Sequence, residues 1–427
     1  MSEVYDAVVI GAGMAGLTAA RSIAEAGKSV IVVEASSRVG GRIWTVPGLI
    51  GALPSELGAE FVHGKPEPTW ALAREAGAEL LPLNERHVAK SGAAFRDLSD
   101  PWQTFGAVLD RLQPEEEDTT ASAFLEQNAI ETETRELVRQ LVEGFEAAPL
   151  DEVGIRSLFS DAQSLAANHE QFRIRGGYGL LVDFCLKKLL EAQVEVRLQS
   201  RVCLVKWQLH GPVELSVAGS ASEIRARSCV VTVPLPVLQD GESLRFEPAV
   251  RSWTGPLAQL GMGQAARVML QFPRDFAQHA APRDAFIHDP SALFETFWAI
   301  ENVSFVQWTA WAGGPKAQEL ARESTEQRKH LALASLAALL GLPEATLEAA
   351  LVCPIQHHDF SNDDTIRGAY SFCRPGGSRA APELSVPVGN ALFLAGEATD
   401  HDYPGTVAGA IASGARAAKQ VLAVLTS

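Results

Sequence analysis

The chain has 427 residues, 47% of them apolar, with a mean hydropathy of +0.04 and a formal charge of −16. That length holds two or three domains and a large core, and the charge speaks against nucleic acid or an anionic membrane surface as partner. The five cysteines are scattered, with no CxxC and no Cys/His cluster, which points to reduced thiols, no structural metal and a cytoplasmic protein. No signal core precedes the first strand and no apolar run reaches membrane-spanning length, so no membrane partner is expected.

The opening segment reads as a dinucleotide-binding unit. An apolar run from Tyr5 to Ile10 leads into Gly11-Ala-Gly13-Met-Ala-Gly16, a helix follows from Leu17 to Ala26, and a second apolar run, Ser29 to Val33, ends on Glu34. In this pattern Gly11 permits the tight turn, Gly13 lets backbone approach a pyrophosphate, and Gly16 lets helix pack closely on strand. The helix start offers unpaired N–H groups to phosphate, and Glu34 is placed to accept from ribose hydroxyls. Next, Ala35-Ser-Ser-Arg38-Val-Gly40-Gly41-Arg42 puts more glycines and two forked guanidiniums beside the same phosphates. This favours a long, buried FAD over NAD. The alternative for Arg38 and Arg42, a pair of surface charges, is the weaker reading.

Residues 48 to 64 are loop-like and glycine-spaced, and small residues at Gly58 and Ala59 suit close approach to a flat ring. His63 on its own reads as a satisfied structural histidine. From Glu67 to about Glu146 the period is helical, with helices over Trp70–Ala76, Trp102–Leu112 and Ala121–Phe145 and a solvated acidic connection at Glu115–Asp118. A further helix spans Leu180–Ala192. Strands are predicted over Val194–Leu198, Val202–Leu209, Val213–Ala218 and Cys229–Pro234, where the chain returns to the nucleotide sheet and adds a β-meander.

Beyond Pro236, strand-rich stretches at Leu244–Phe246, Gly261–Phe272 and Phe297–Trp311 carry many aromatics, and Thr325–Leu340 and Pro343–Leu351 are helical. Such walls suit a substrate cavity, although aromatic clusters also serve as plain core. Ala391–Ala395 reads as a buried strand, Gly396-Glu397 opens a polar turn, and Thr406 leads into a helix from Val407 to Leu425. Gly409, Ala410, Ser413 and Gly414 give its first face short side chains, and its N–H groups can receive the negative charge of a reduced flavin. The fold class is therefore α/β: a Rossmann-like, discontinuous FAD-binding domain (1–75, 193–245 and 385–427) of parallel sheet plus β-meander, and a mixed α+β substrate domain (76–192 and 246–384).

These blocks resemble the FAD-dependent amine oxidase family of monoamine oxidases, polyamine oxidases and flavin histone demethylases. The resemblance runs through Val9–Gly16, Glu34–Arg42, Glu56–Gly64, Val231–Leu238, Gly368–Ser371 and Gly396–Val407. It implies that Glu34 holds the adenosine ribose and Arg42 the pyrophosphate. Val202 would meet the adenine and Glu397 the ribityl-phosphate side. Gly58 and Ala59 would lie near the flavin ring, and Thr406 with Val407 at its O2 edge. His63 resembles a histidine at the substrate mouth of polyamine oxidases. Glu60 and His63 are candidates for reading a distal amine.

Where the family carries a lysine beside flavin N5, this chain has Arg267. Arginine keeps its donors but is no proton relay, so oxygen reactivity is in question, and a purely structural pairing of Arg267 with a carboxylate competes with a catalytic role. The flavin-facing tryptophan falls on Phe360. Of the two-tyrosine cage, Tyr370 matches one wall and Thr406 stands at the other. Ala369 replaces the cysteine of covalently flavinylated relatives, which implies dissociable FAD, and the absence of an apolar tail before Ser427 argues against a membrane anchor. The implied reaction is oxidation of a small-molecule amine by hydride transfer to FAD, with O2 as acceptor. The alternatives are an FAD-dependent dehydrogenase or desaturase using another acceptor, and a binding protein in which FAD is structural. Oligomeric state is not legible.

Overall fold

The computed structural model describes residues 4–48, 53–84, 86–92, 94–98, 101–113, 117–159, 170–209 and 211–426. Glu115 and Ser427, named above, lie outside the described residues.

Two sheets organise the molecule. In the first, strand Val4–Ile10 lies between Val30–Val33 and Glu223–Val231, all parallel, with Glu195–Arg197 beyond Val30–Val33 and Leu392–Leu394 added in parallel beside Cys229–Val231. Val202–Lys206, Val213–Val217 and Glu223–Val231 form the antiparallel meander that extends it. The apolar runs are buried on both faces, as a parallel sheet between helices requires. Ala7, Val9, Val30 and Val32 join one core, and Val8, Ile10, Ile31 and Val33 join the other.

Helix Met14–Glu25 covers the first face, and helix Val407–Thr426 lies against it. Both contacts are backbone-close. A Cβ on Gly16 would sit 2.0 Å from the Gly11 carbonyl oxygen, and one on Gly414 would sit 2.3 Å from that of Ala15. The first helix thus sits close on its own turn at Gly16, and the last helix reaches the first because Gly414 carries no side chain where it meets Ala15.

In the second sheet, strands Ala265–Pro273 and Phe305–Gly313 run antiparallel along their full lengths, flanked by Gln356–His357 on one side and Thr296–Glu301, Ala285–His288, Arg86–Ser91 and Ala94–Asp97 on the other. Val268, Leu270 and Phe272 face helix Thr325–Leu340 and its core. The alternate residues Arg267 and Gln271 face the other way, toward the loop that precedes Phe61. A helical lobe of Pro101–Leu109, Ala121–Gln127 and Thr132–Leu141 has its own core around Phe105, Phe124 and Leu141.

The structure corrects several expectations. The stretch 67–146 is not uniformly helical, since Leu80–Pro82, Arg86–Ser91 and Ala94–Asp97 are strands. The expected Ala121–Phe145 helix breaks at Ala129, where φ is +49°, and its last turn, Val142–Glu146, is a π-helix. The break separates two short helices that both send side chains into one core, Phe124 and Leu125 from the first and Val138 and Leu141 from the second. Helix Gly179–Glu191, placed with the substrate domain by sequence, packs with Tyr178, Leu181, Cys185 and Leu189 in the first nucleotide core. Trp253, Leu257, Ala380 and Leu384 belong to the second nucleotide core. A sheet buried on both faces needs more cover than its own crossover helix provides.

The helix crossing gives a direct test. Gly414→Ala puts a methyl against backbone that has nowhere to go, and overpacking of this kind costs about 1–3 kcal/mol. Thermal unfolding of the purified protein should show a lower midpoint and earlier loss of flavin than the parent.

Candidate active site

One cavity of about 670 Å³ runs from the glycine turn of the first sheet to the open face of the second. Its nucleotide end is built by backbone. Gly11 holds φ at +106°, where an added Cβ would meet Thr232 Oγ1 at 2.5 Å, while a Cβ on Gly13 would point into open space. Gly13 is the extended N-cap of helix Met14–Glu25 and has no side-chain cap, so the first-turn N–H groups are left for a ligand. Glu34, buried at the strand end, accepts from Ala12 N at 2.6 Å and Ser36 N at 2.8 Å, which fixes its carboxylate against the cavity. Ala35, Gly41 and Val202 line the same end.

The two arginines divide their work. Arg38 donates to the carbonyls of Val39, Gly41 and Ile43 and stacks on Trp44 at 4.1 Å, so it fastens the glycine loop itself. Arg42 donates to the Ala369 carbonyl at 2.9 Å and to Glu397 at 2.7 Å. Glu397, 5% exposed, also accepts from Ser371 Oγ at 2.5 Å, and Gly396 before it has φ +135°. Gly58 sits so close to Arg42 that a Cβ would lie 1.9 Å from its carbonyl oxygen. Ala59 is tied to the same carbonyl through its N–H. Thr406 caps the last helix: its hydroxyl accepts from Gly409 N at 3.1 Å and donates to the Tyr403 carbonyl at 2.8 Å. Val407 follows as the first helical residue, and both line the cavity.

Between the two sheets lies a buried charge cluster. Arg267, 6% exposed, donates to the carbonyls of Glu56 (2.8 Å) and Gly58 (2.6 Å) and pairs with Glu60 at 2.5 Å. Glu60 also meets Arg173 at 2.7 Å and accepts from Trp298 Nε1 at 3.2 Å. Burial lowers the Arg173 guanidinium below its ordinary value, and it raises the Glu56 carboxyl to about 7. The structural pairing of Arg267 is therefore present in full, and Glu60 is committed to arginine.

The far end is aromatic. Tyr370 donates its hydroxyl to the Phe145 carbonyl, and Trp311 Nε1 donates to the Gly144 carbonyl at 2.9 Å. Both acceptors belong to the π-turn Val142–Glu146, whose widened backbone leaves carbonyls for side chains. Burial pushes the Tyr370 phenol up, so it stays protonated. His63 lines this end, edge-on to Phe145 at 5.3 Å, and burial pushes it down to about 4.

Sequence reading missed Phe286, His288 and His87. His87 Nδ1 and His288 Nε2 lie 2.8 Å apart across parallel strands, and burial with His87 nearby pushes His288 down to about 3. The signal was the alternation Ala285-Phe-Ile-His288, in which Ala285 and Ile287 are buried core and Phe286 and His288 line the cavity.

Glycine turn, strand-end carboxylate and a second helix start converging on one cavity define a class of protein that holds a flavin dinucleotide across a discontinuous domain. The chain belongs to the flavin-containing amine oxidoreductase family, which it matches over residues 14–422, and its cofactor is FAD. It is 27% identical over 452 residues to human lysine-specific histone demethylase 2, covering 97% of this chain and 53% of that protein. It is 26% identical over 453 residues to polyamine oxidase 4 of Oryza sativa subsp. japonica, covering 97% of this chain and 88% of the relative. The chain thus spans about half the length of the demethylase and most of the polyamine oxidase. In fold it is similar to cyclohexylamine oxidase from Brevibacterium oxydans IH-35A, with a TM-score of 0.81, 20% identity and 99% of both chains covered.

Glu60→Gln leaves two buried guanidiniums facing no carboxylate and should cost about 3 kcal/mol, read as a lower urea midpoint. The titrations have opposite signs. As pH falls from 6.5 toward 4 the unfolded chain protonates His63 and His288 while the folded chain does not, so stability is lost on acidification. Glu56 keeps its proton in the fold up to about 7, so its contribution is lost as pH rises from 4.5 through 7. Unfolding curves of His288→Gln and the parent should therefore diverge most below pH 6.5.

Proposed function

We propose that the protein oxidises a small-molecule amine at the carbon next to nitrogen, giving an imine that water hydrolyses, with dioxygen accepting the electrons as hydrogen peroxide. The observation that carries this reading is the single cavity joining the phosphate cradle to an aromatic end. Bound there, FAD supplies the hydride acceptor. The chain supplies orientation, a dry site and positive potential. Gly13 and the helix after it hold phosphate, Glu34 the ribose, and the start of helix Val407–Thr426 meets developing negative charge. Tyr370, held by the Phe145 carbonyl, presents an aromatic wall to the amine. Ala369 offers no sulfur, which supports a non-covalent flavin. Five free thiols support a reducing, cytoplasmic location. Among the described residues no single helix is long and apolar enough to cross a membrane.

A second reading keeps the amine and changes the acceptor. Arg267 favours it, because both of its terminal nitrogens are spent on Glu56, Gly58 and Glu60. Anaerobic mixing with an amine panel tests both readings. Bleaching near roughly 450 nm with colour and peroxide returning in air is the expected result. Bleaching without recovery selects the second reading, and no bleaching by any amine overturns both. Arg267→Lys should then speed recovery in air. A change below about twofold, under roughly 0.4 kcal/mol, removes Arg267 as the cause of slow oxygen reactivity. Acid precipitation should leave the yellow colour in the supernatant.

A further inference from the structure

The aromatic end of the cavity has little left to offer a second cation. Rings attract cations through their faces, but each of these rings already has a cation or another ring against it. Arg267 lies over Trp298 at 5.2 Å and over Trp311 at 5.5 Å. Arg173 lies over Phe61 at 5.0 Å, and His87 stacks on Phe286 at 5.3 Å. Carboxylates are used as well. One oxygen of Glu60 meets Arg267 and the other meets Arg173 and Trp298, so two guanidiniums share one carboxylate. Glu146, on the π-turn, has an interaction of its own.

Beside these committed groups lies an apolar wall with an unpartnered imidazole nitrogen near it. Phe61, Phe286 and Trp298 form a three-ring wall, with centroids 5.4 to 5.8 Å apart. The His87–His288 bond requires one ring to donate and the other to accept, so at least one imidazole there is uncharged. His63 Nδ1 is buried without a partner and can bond one uncharged N–H or O–H group. A second ammonium at this end would be a desolvated charge beside guanidinium.

We propose that, within the amine-oxidising activity above, the substrate is a monoamine with a compact apolar or aromatic body, and that amines bearing a second charged nitrogen are rejected by the Arg267–Glu60–Arg173 cluster and the occupied ring faces. The specificity resides in charge already paired inside the protein, and it rests on the reading of this cavity as an amine site.

Redox-inert amines separate the two claims. Cumylamine, whose α-carbon bears no hydrogen, and a diamine with fully methylated α-carbons are titrated into the oxidised holoenzyme while the flavin absorption band is followed. Cumylamine should bind at least about a hundredfold more tightly than the diamine. Equal or tighter binding of the diamine, or no spectral response to either, overturns the proposal. In an anaerobic reduction arm, benzylamine should bleach the flavin and a straight-chain diamine should not. Bleaching of both at similar rates also overturns it. If neither bleaches while cumylamine still binds preferentially, the preference stands and the catalytic reading falls. Phe286→Glu adds a carboxylate to the wall and should narrow the binding ratio by about tenfold, and an unchanged ratio in the folded variant counts against the proposal. The ratio for the unaltered protein stands as a test even if this variant does not fold.

Discussion

A guanidinium buried between two sheets holds this molecule together. Arg267 comes from the second sheet, yet its partners, the Glu56 and Gly58 carbonyls and the Glu60 carboxylate, lie on the loop that follows the nucleotide unit. Two orphan carbonyls and a buried carboxylate would each be costly alone. A planar, always-charged fork satisfies all three at once. The loop that passes beside the cavity is therefore fixed by the sheet that walls it, and the two domains are set relative to one another by charge as well as by apolar contact.

The same economy of side chains shapes the cradle. At Gly16, Gly58 and Gly414 backbone lies where a Cβ would need to be, and at Gly13 a Cβ would enter open cavity. Close approach in three places leaves room in the fourth. Arg38, which sequence placed beside phosphate, ties the glycine loop through three carbonyls, while Arg42 joins that loop to Glu397 and Ala369 near the other end of the chain. Thr406, which sequence placed at a cage wall, has its hydroxyl occupied as a helix cap.

Legibility followed the range of the interaction. The opening strand, turn, helix and strand were readable because each signal is local: a continuous apolar run, a glycine that takes positive φ, an acid at the strand end. The meander and the last helix were readable for the same reason. Strands Arg86–Ser91 and Ala285–His288 were not, since each is short and is completed by a partner far away in sequence. Helix Gly179–Glu191 looked like part of the substrate domain until its apolar face was seen in the nucleotide core. Its own pattern says only that one face is buried.

The sequence by itself determined the chemistry that backbone torsion and periodicity dictate: a Rossmann-like unit, its glycine cradle, Glu34, and a terminal helix with a small-residue face. The resemblance carried by those blocks identified the family. Tertiary structure alone decided what each charged side chain is free to do. In sequence Glu60 read as a candidate amine reader and Arg267 stood open between a catalytic role and a pairing with a carboxylate, and in the fold the two pair with each other, with Arg173 on the same carboxylate. The physical reason is that the state of a buried charge depends on what lies within a few ångströms, and those neighbours come from segments that no local pattern brings together.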